Sequence, residues 1–119
     1  MKCEKLDVWK RACRLSVELY KHFNESREFG FKDQITRSAL SVGSNIAEGL
    51  EKESLAENLR YLEIAKGSVA ELITQLYIGV EAEFIEKEQG FVWINESNEI
   101  LKMIKGYKSY LKKRAQDEK

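Results

Sequence analysis

Residues 37–49 are rich in small and polar side chains, yet apolar residues recur through them at the spacing of an α-helix; they read RSALSVGSNIAEG. Successive residues of a helix turn by about 100°, so one narrow arc collects these positions: Phe31, Ile35, Ala39, Val42, Ile46 and Gly49. The row directly beside it is polar: Gln34, Ser38, Ser41, Asn45 and Glu48. An apolar stripe bordered by small hydrogen-bonding side chains is typical of a helix that other helices approach closely. We therefore interpret this segment as the central helix of a bundle.

Periodicity of the same kind divides the rest of the chain into helices. We predict four, at residues 7–23, 31–50, 55–81 and 87–114, joined by short polar segments. Asp7 is expected to be the N-cap of the first helix, and Ser54 with Glu57 forms a capping box before the third. A chain of 119 residues is large enough for one hydrophobic core. The sequence predicts an all-α fold, an antiparallel up-down four-helix bundle over residues 1–119, with residues 115–119 frayed.

Four short segments, in order, resemble a known family. Residues 41–49 (SVGSNIAEG) are similar to the signature of the four-helix-bundle proteins encoded in intervening sequences of bacterial 23S ribosomal RNA genes. Residues 7–10 (DVWK), 28–31 (EFGF) and 60–72, with RYL, AKGS and EL, fit the same pattern, so the resemblance covers about residues 6–80. The family also resembles the accessory protein of diversity-generating retroelements. For those relatives the resemblance implies pentameric rings with basic, nucleic-acid-associated surfaces.

The charges of the chain balance, but they are unevenly distributed. Twenty Lys and Arg residues oppose twenty Asp and Glu residues, with an acidic excess in residues 51–81 and a basic excess from residue 102 onward. Helices one and four are neighbours in an up-down bundle, so their basic side chains could form one ridge: Lys10, Arg14, Lys21, Lys102, Lys105, Lys108 and Lys112. We expect this ridge to bind RNA or DNA through phosphates, without reading sequence.

Two alternatives to nucleic-acid binding remain open at this point. The basic residues of helix one could form only a solvated face. The acidic third helix could instead receive a basic face of another chain, in a head-to-tail contact that closes into a ring or grows into a filament. The protein would then be a protein–protein assembly module with no nucleic-acid role, and its partner would be a second copy or another protein.

The first predicted helix has more apolar surface than one bundle core can cover. Beside its core stripe it carries Trp9, Val17 and Tyr20, which makes it apolar over roughly half its circumference. A helix of this kind contacts a second partner as well as the core. We therefore predict a homo-oligomer with these three residues at the interface, and the resemblance implies that it is a pentamer.

Lys66 falls inside the apolar stripe of the third helix. One interpretation is that its aliphatic part is buried while the ammonium group reaches water. The other is a pairing with a neighbouring helix, since an unpaired buried charge is costly. Glu48 is the first candidate partner and Asn45 the second. With Ser44, these residues would form a structural polar network around Lys66.

No catalytic or cofactor site can be recognised in the sequence. Ser44 and Glu48 lie one helical turn apart, but a nucleophilic serine needs a base within reach, and the single histidine, His22, belongs to another helix. The acidic residues lack the Glu-x-x-His spacing of di-metal sites in bundles, and no Gly-rich phosphate loop follows a strand. We predict that the protein is not an enzyme and has no metal or cofactor.

Cysteine usage and hydropathy bear on the compartment. Cys3 and Cys13 have no further cysteine or histidine cluster around them, so free thiols are expected, with a disulfide as the alternative. No segment approaches the roughly 20 uncharged residues of a membrane span, and the beginning of the chain lacks the pattern of a signal peptide. We therefore expect a cytoplasmic protein that has no membrane partner.

Overall fold

Four long α-helices account for most of the protein, whose computed structural model describes residues 2–118. A short 3₁₀ helix (Lys2–Lys5) is followed by α1 (Asp7–His22), α2 (Phe29–Glu51), α3 (Leu55–Glu81) and α4 (Lys87–Asp117). Over these described residues there is no β-strand. The predicted all-α class is confirmed.

The ends of the helices show where local sequence signals decide the structure. Ser54 caps α3 as predicted, since its side-chain oxygen accepts a hydrogen bond from the backbone N–H of Glu57 at 3.2 Å. The predicted cap at Asp7 is wrong: Leu6 occupies the N-cap position, and Asp7 is the first helical residue. The predicted fraying of residues 115–117 is also wrong, because α4 continues to Asp117. Residue 119 lies outside the described residues.

The helices pack in the cyclic order of an up-down four-helix bundle. α1 packs on α2, α2 on α3 and α3 on α4, and α4 returns to contact α1. Each connection between consecutive helices is short, over residues 23–28, 52–54 and 82–86, which is typical of antiparallel neighbours. The bundle measures 53 × 21 × 20 Å. Each helix therefore has two neighbours, so α2 is not central by position, although its seam with α3 is the most extensive in the bundle.

The core is built from the apolar stripes that the periodicity indicates. α2 contributes Ile35, Ala39, Val42 and Ile46, none more than 2% exposed. The facing stripe of α1 continues to Phe23, just after the helix, and none of its residues is more than 3% exposed: Val8, Ala12, Leu15, Leu19 and Phe23. The other two helices complete the core mainly with leucine and isoleucine, including Leu62, Leu72, Leu76, Ile94, Ile100 and Ile104. Burial of these stripes is the main favourable contribution to folding.

Gly49 allows α2 and α3 to approach each other closely. A Cβ atom at this position would lie 2.8 Å from Cβ of Tyr61 and 3.3 Å from the carbonyl oxygen of Asn58. The amide of Asn58 also donates to the carbonyl oxygens of Gly49, at 2.6 Å, and Lys52, at 2.9 Å. These hydrogen bonds satisfy carbonyl groups that the end of a helix leaves without intrahelical partners.

Candidate interaction surfaces

An open apolar groove runs along the outside of the α1–α2 seam, with a volume of about 600 Å³. Small side chains form its floor: Ala12, Ser16, Ala39, Gly43 and Ala47. Larger side chains stand at its edges: Trp9, Val17, Tyr20 and Leu40. Val17 and Leu40 are each 51% exposed and Tyr20 is 44% exposed. The structure thus brings the three predicted interface residues together in one groove.

Leu40 is a groove residue that the sequence analysis missed. It lies on α2 outside the core stripe, between the buried Ala39 and the half-buried Ser41. A large apolar residue off the core stripe is the same signal that singled out Val17 on α1, and it was available in the sequence. Ser44, which is predicted to belong to the polar network around Lys66, is exposed and lines this groove instead.

Cys13 and Gly43 mark the place where α1 approaches α2 below the groove. A Cβ atom at Gly43 would lie 3.4 Å from the Sγ atom of Cys13, which is an ordinary contact distance. Burial raises the pKa of the Cys13 thiol, and the nearby Cys3 raises it further. Both cysteines are free.

Lys66 does not pair with α2, so the predicted contact with Glu48 is wrong. Its ammonium group lies 3.0 Å from a carboxylate oxygen of Glu63, one turn earlier on the same helix. Glu48 points to solvent and pairs with Lys52 on α2 at 3.6 Å. The pairing with Glu63 is local and leaves the ammonium group partly exposed, so it avoids the desolvation that a contact across the α2–α3 seam would require.

The polar network between α2 and α3 consists of other residues. The hydroxyl groups of Ser41 and Ser68 are hydrogen-bonded at 2.8 Å. The amide of Asn45 donates to the backbone carbonyl of Ser41 at 2.8 Å and to its hydroxyl at 2.9 Å. Of the four predicted network residues, only Asn45 takes part. The signal for the correct network was the row of small polar residues beside the α2 stripe.

Among the basic residues of α4, Lys108 turns to α3 and not to α1. Lys108 binds Glu63 of α3, and only 16% of its side chain is exposed. The two lysines that contact Glu63 lower the pKa of this carboxyl group to about 2, with the Lys108 hydrogen bond as the largest cause. Lys102 pairs with Glu99 at 3.5 Å and remains well exposed. Lys105 and Lys112 are exposed, and neither forms an ion pair within the part of the chain that the structure describes.

The basic residues of α1 have different neighbours. Lys21 lines the α1–α2 groove. Arg14 lies on the other side of the helix, in a shallow cleft of the α1–α4 seam that also contains Glu18, Glu96 and Glu99. Lys10 is exposed. Because Lys21 lines the groove beside α2 and Lys108 turns to α3, these two residues do not belong to the predicted ridge between α1 and α4.

Arg11 and Glu96 connect α1 to α4 and were not identified from the sequence. The guanidinium Nε atom donates to one carboxylate oxygen at 2.9 Å, and Nη2 donates to the other oxygen. Nη1 lies 3.5 Å from the sulfur of Met103. The hydrogen bond from Arg11 lowers the pKa of the Glu96 carboxyl group, against the opposing effect of burial. A bidentate ion pair of this kind fixes the orientation of both side chains.

No metal site or membrane-spanning segment is found in the described part of the chain. Within residues 2–118, no group of three His, Cys, Asp or Glu side chains comes together to hold a metal ion. None of the helices over the same residues combines the length and the apolar character that crossing a membrane requires.

These features define an all-α protein, a four-helix bundle with an apolar groove on one side and separate basic patches elsewhere. The sequence model of the 23S rRNA-intervening sequence protein family matches residues 4–106. The chain therefore belongs to this family, and the resemblance inferred from its short motifs is confirmed.

A solved structure supports the same assignment. It is the crystal structure of a protein of unknown function from the S23 ribosomal protein family of Bacteroides thetaiotaomicron. This protein is 31% identical to the chain, with a TM-score of 0.80, and the match covers 85% of this chain and 97% of the other. Among curated proteins, no match is found.

Proposed function

We propose that this protein is a non-catalytic scaffold that assembles with copies of itself through the α1–α2 groove. The observation that carries the proposal is the groove itself, where Val17, Tyr20 and Leu40 are each about half exposed above a floor of small residues. Apolar surface removed from water contributes about 25 cal/mol per Å². Clustered exposed apolar residues of this kind mark interaction sites in soluble proteins.

The chemistry of the groove favours a protein surface over a small molecule as the occupant. Small-molecule sites usually enclose their ligand and place several polar groups around it. This groove is open, and no side chain that lines it carries a formal charge except Lys21. Small floor residues between larger edges instead suit the side chains of another helix. A ring of five copies is the assembly that the family resemblance implies, and it is the state that we propose.

Disruption of the groove tests this proposal. The double variant Val17→Asp, Leu40→Asp places two charges where the partner would pack, so we expect it to have the mass of one chain by light scattering. Wild-type protein at tens of micromolar should have a multiple of that mass. Val92→Asp is the matched control, because Val92 is 60% exposed and lies on α4, away from the groove. A monomeric wild-type protein would contradict the proposal.

We further propose that the assembled scaffold contacts RNA through the phosphate backbone. The supporting observation is that Lys102, Lys105 and Lys112 remain exposed on α4, away from the groove, so assembly there leaves them accessible. Lys10 and Lys21, by contrast, belong to α1 and Lys21 lines the groove. The family name refers to 23S rRNA, and this agrees with an RNA setting.

Charge reversal on α4 tests the binding of RNA. Replacing Lys102, Lys105 and Lys112 with Glu should weaken binding to a structured RNA. It should also flatten the log–log salt slope, by somewhat under one unit for each phosphate that the protein no longer neutralises. The control changes the net charge equally at other exposed sites: Lys5→Glu, Arg27→Glu and Lys87→Glu. If both variants bind like the wild type, the α4 face is only solvated, and an assembly module without RNA is the function that remains.

A further inference from the structure

Lys66 of α3 and Lys108 of α4 share one carboxylate at the surface of the α3–α4 seam. One carboxylate oxygen of Glu63 lies 3.0 Å from the ammonium group of Lys66, and the other accepts a hydrogen bond from Lys108. The side chain of Glu63 is 53% exposed and that of Lys66 is 33% exposed, whereas Lys108 lies deeper. The cluster is therefore open to solvent on the side of Glu63 and Lys66.

Lys105 and Lys112 extend this cluster along α4. They lie three residues before and four residues after Lys108, and residues at these spacings are neighbours on one face of a helix. Because Lys108 turns to α3, the three lysines border the α3–α4 seam together, over roughly 10 Å of helix. A length of this kind is sufficient for more than one phosphate of a nucleic-acid strand.

Positive charge exceeds negative charge at this part of the seam. Four lysines border it, at positions 66, 105, 108 and 112, and among the described residues Glu63 is the one carboxylate that pairs with any of them. Phosphate and carboxylate groups both present anionic oxygens to an ammonium group. Because partly exposed ion pairs contribute little to stability, exchange of Glu63 for a phosphate would cost the protein little.

We propose that phosphate groups of a bound RNA replace Glu63 as the partners of Lys66 and Lys108. The inference rests on the proposed RNA contact through Lys105 and Lys112, and it extends that face from α4 across the seam to α3. Glu63 is then an internal competitor of the RNA. It holds the two ammonium groups in place in the free protein and limits the affinity for the phosphate backbone.

Removal of the competitor tests this inference without removing a lysine. Glu63→Gln should bind an RNA hairpin roughly threefold to tenfold more tightly than the wild type, as expected when two partly exposed ion pairs no longer compete. Glu71→Gln is the matched control, because Glu71 is an exposed carboxylate of the same helix and forms no ion pair within residues 2–118. This control should bind like the wild type. Equal affinities of the two variants would overturn the inference.

Replacement of the two lysines tests whether Glu63 acts through them. Lys66→Gln with Lys108→Gln should weaken binding and flatten the log–log salt slope by roughly one to two units, since each lost phosphate contact removes somewhat under one unit. Adding Glu63→Gln to this double variant should give no gain in affinity. The control Arg27→Gln with Lys87→Gln removes the same charge at exposed positions and should retain the slope. A gain from Glu63→Gln that persists without the two lysines would be a general effect of charge and would contradict the proposed exchange.

The outcomes separate this inference from the proposed RNA contact. If charge reversal at Lys102, Lys105 and Lys112 weakens binding while Glu63→Gln and the double lysine variant bind like the wild type, only this inference is overturned. If none of these changes alters the affinity, or the wild type does not bind the hairpin, the proposed RNA contact fails as well. Circular dichroism and urea unfolding of each variant establish that a change in binding does not arise from a loss of the fold.

Discussion

The two flanks of α2 meet their neighbours in different ways, although both are lined with small residues. Toward α3 the seam is closed: Gly49 lies against Tyr61, Ser41 binds Ser68, and Asn58 caps the end of α2. Toward α1 the helices touch at the floor but leave a groove of about 600 Å³ above it. Small residues therefore permit close approach, but polar groups that bond across the seam are what close it.

Mutation at the end of the α2–α3 seam should change the free energy of unfolding most. Asn58→Ala removes two hydrogen bonds to carbonyl groups near the end of α2, and we expect a loss of about 2 kcal/mol in the free energy of unfolding. Urea denaturation measures this change. Ser44→Ala on the groove flank should have an effect of only a few tenths of a kcal/mol. Equal effects of the two changes would remove the contrast between the flanks.

Gly43 and Gly49 of α2 provide a matched pair for the next comparison. Gly49→Ala places a Cβ atom 2.8 Å from Tyr61, and overpacking of this kind costs about 1–3 kcal/mol. The gain in helix propensity is about 1 kcal/mol, so a net loss of about 1 kcal/mol is expected. Gly43→Ala meets Cys13 at 3.4 Å and should be neutral or stabilising. A thermal melt of each variant distinguishes these outcomes, and stabilisation by Gly49→Ala would show that α3 can move away freely.

Two serines test whether bonding across the seam contributes to stability. Ser41→Ala removes the hydroxyl that joins Ser68 and Asn45, with an expected cost of about 1 kcal/mol. Ser16→Ala, on the floor of the groove, should be neutral, or slightly stabilising because alanine favours helix. Urea unfolding of both variants under the same conditions checks the difference. The contrast would be contradicted by a Ser16 variant that loses as much as the Ser41 variant.

The ion pair between Glu63 of α3 and Lys108 of α4 is expected to have the smallest effect on the free energy of unfolding. Lys108 and Lys66 hold the pKa of Glu63 at about 2, below its value of about 4.3 in an unfolded chain. A lowered carboxyl pKa contributes stability above the unfolded pKa, and that contribution is lost as the pH falls through this interval toward 2. The side chain is exposed, so solvent reduces the effect.

Glu63→Gln should therefore flatten the acid limb of stability against pH, measured by urea unfolding between about pH 5 and pH 2. Glu88→Gln, an exposed carboxyl group at the start of α4, serves as the control. If Glu63→Gln retains the slope of the wild type, the pairing with Lys108 does not contribute in solution.

The fold was predictable because the apolar periodicity is strong and the loops are short. The stripe from Ile35 to Ile46 and the cap at Ser54 are local signals, and both were interpreted correctly. The groove residues Trp9, Val17 and Tyr20 were found for a similar reason, since helix one has more apolar surface than its core stripe requires. These features depend on one helix at a time.

The pairings across helices were not predictable, because they depend on how the helices rotate relative to each other. Lys66 could reach Glu63 or Glu48 from its sequence position, and the local partner is the one that it contacts. Lys108 turns to α3 and Arg11 finds Glu96, and neither result follows from periodicity. A small rotation of α4 would direct its lysines elsewhere.

The small seam between α1 and α4 has a consequence for the dynamics of the chain. α1 is about half as long as α4, and besides its core stripe it has the Arg11–Glu96 contact on one side and the open groove on the other. Detaching α1 would break less extensive seams than detaching α2 or α3, so we expect it to open before them. Because binding stabilises whatever it covers, occupation of the groove would hold α1 in place. The amide protons of α1 should then exchange with solvent more slowly as the protein concentration rises, because self-association would oppose the local opening of this helix.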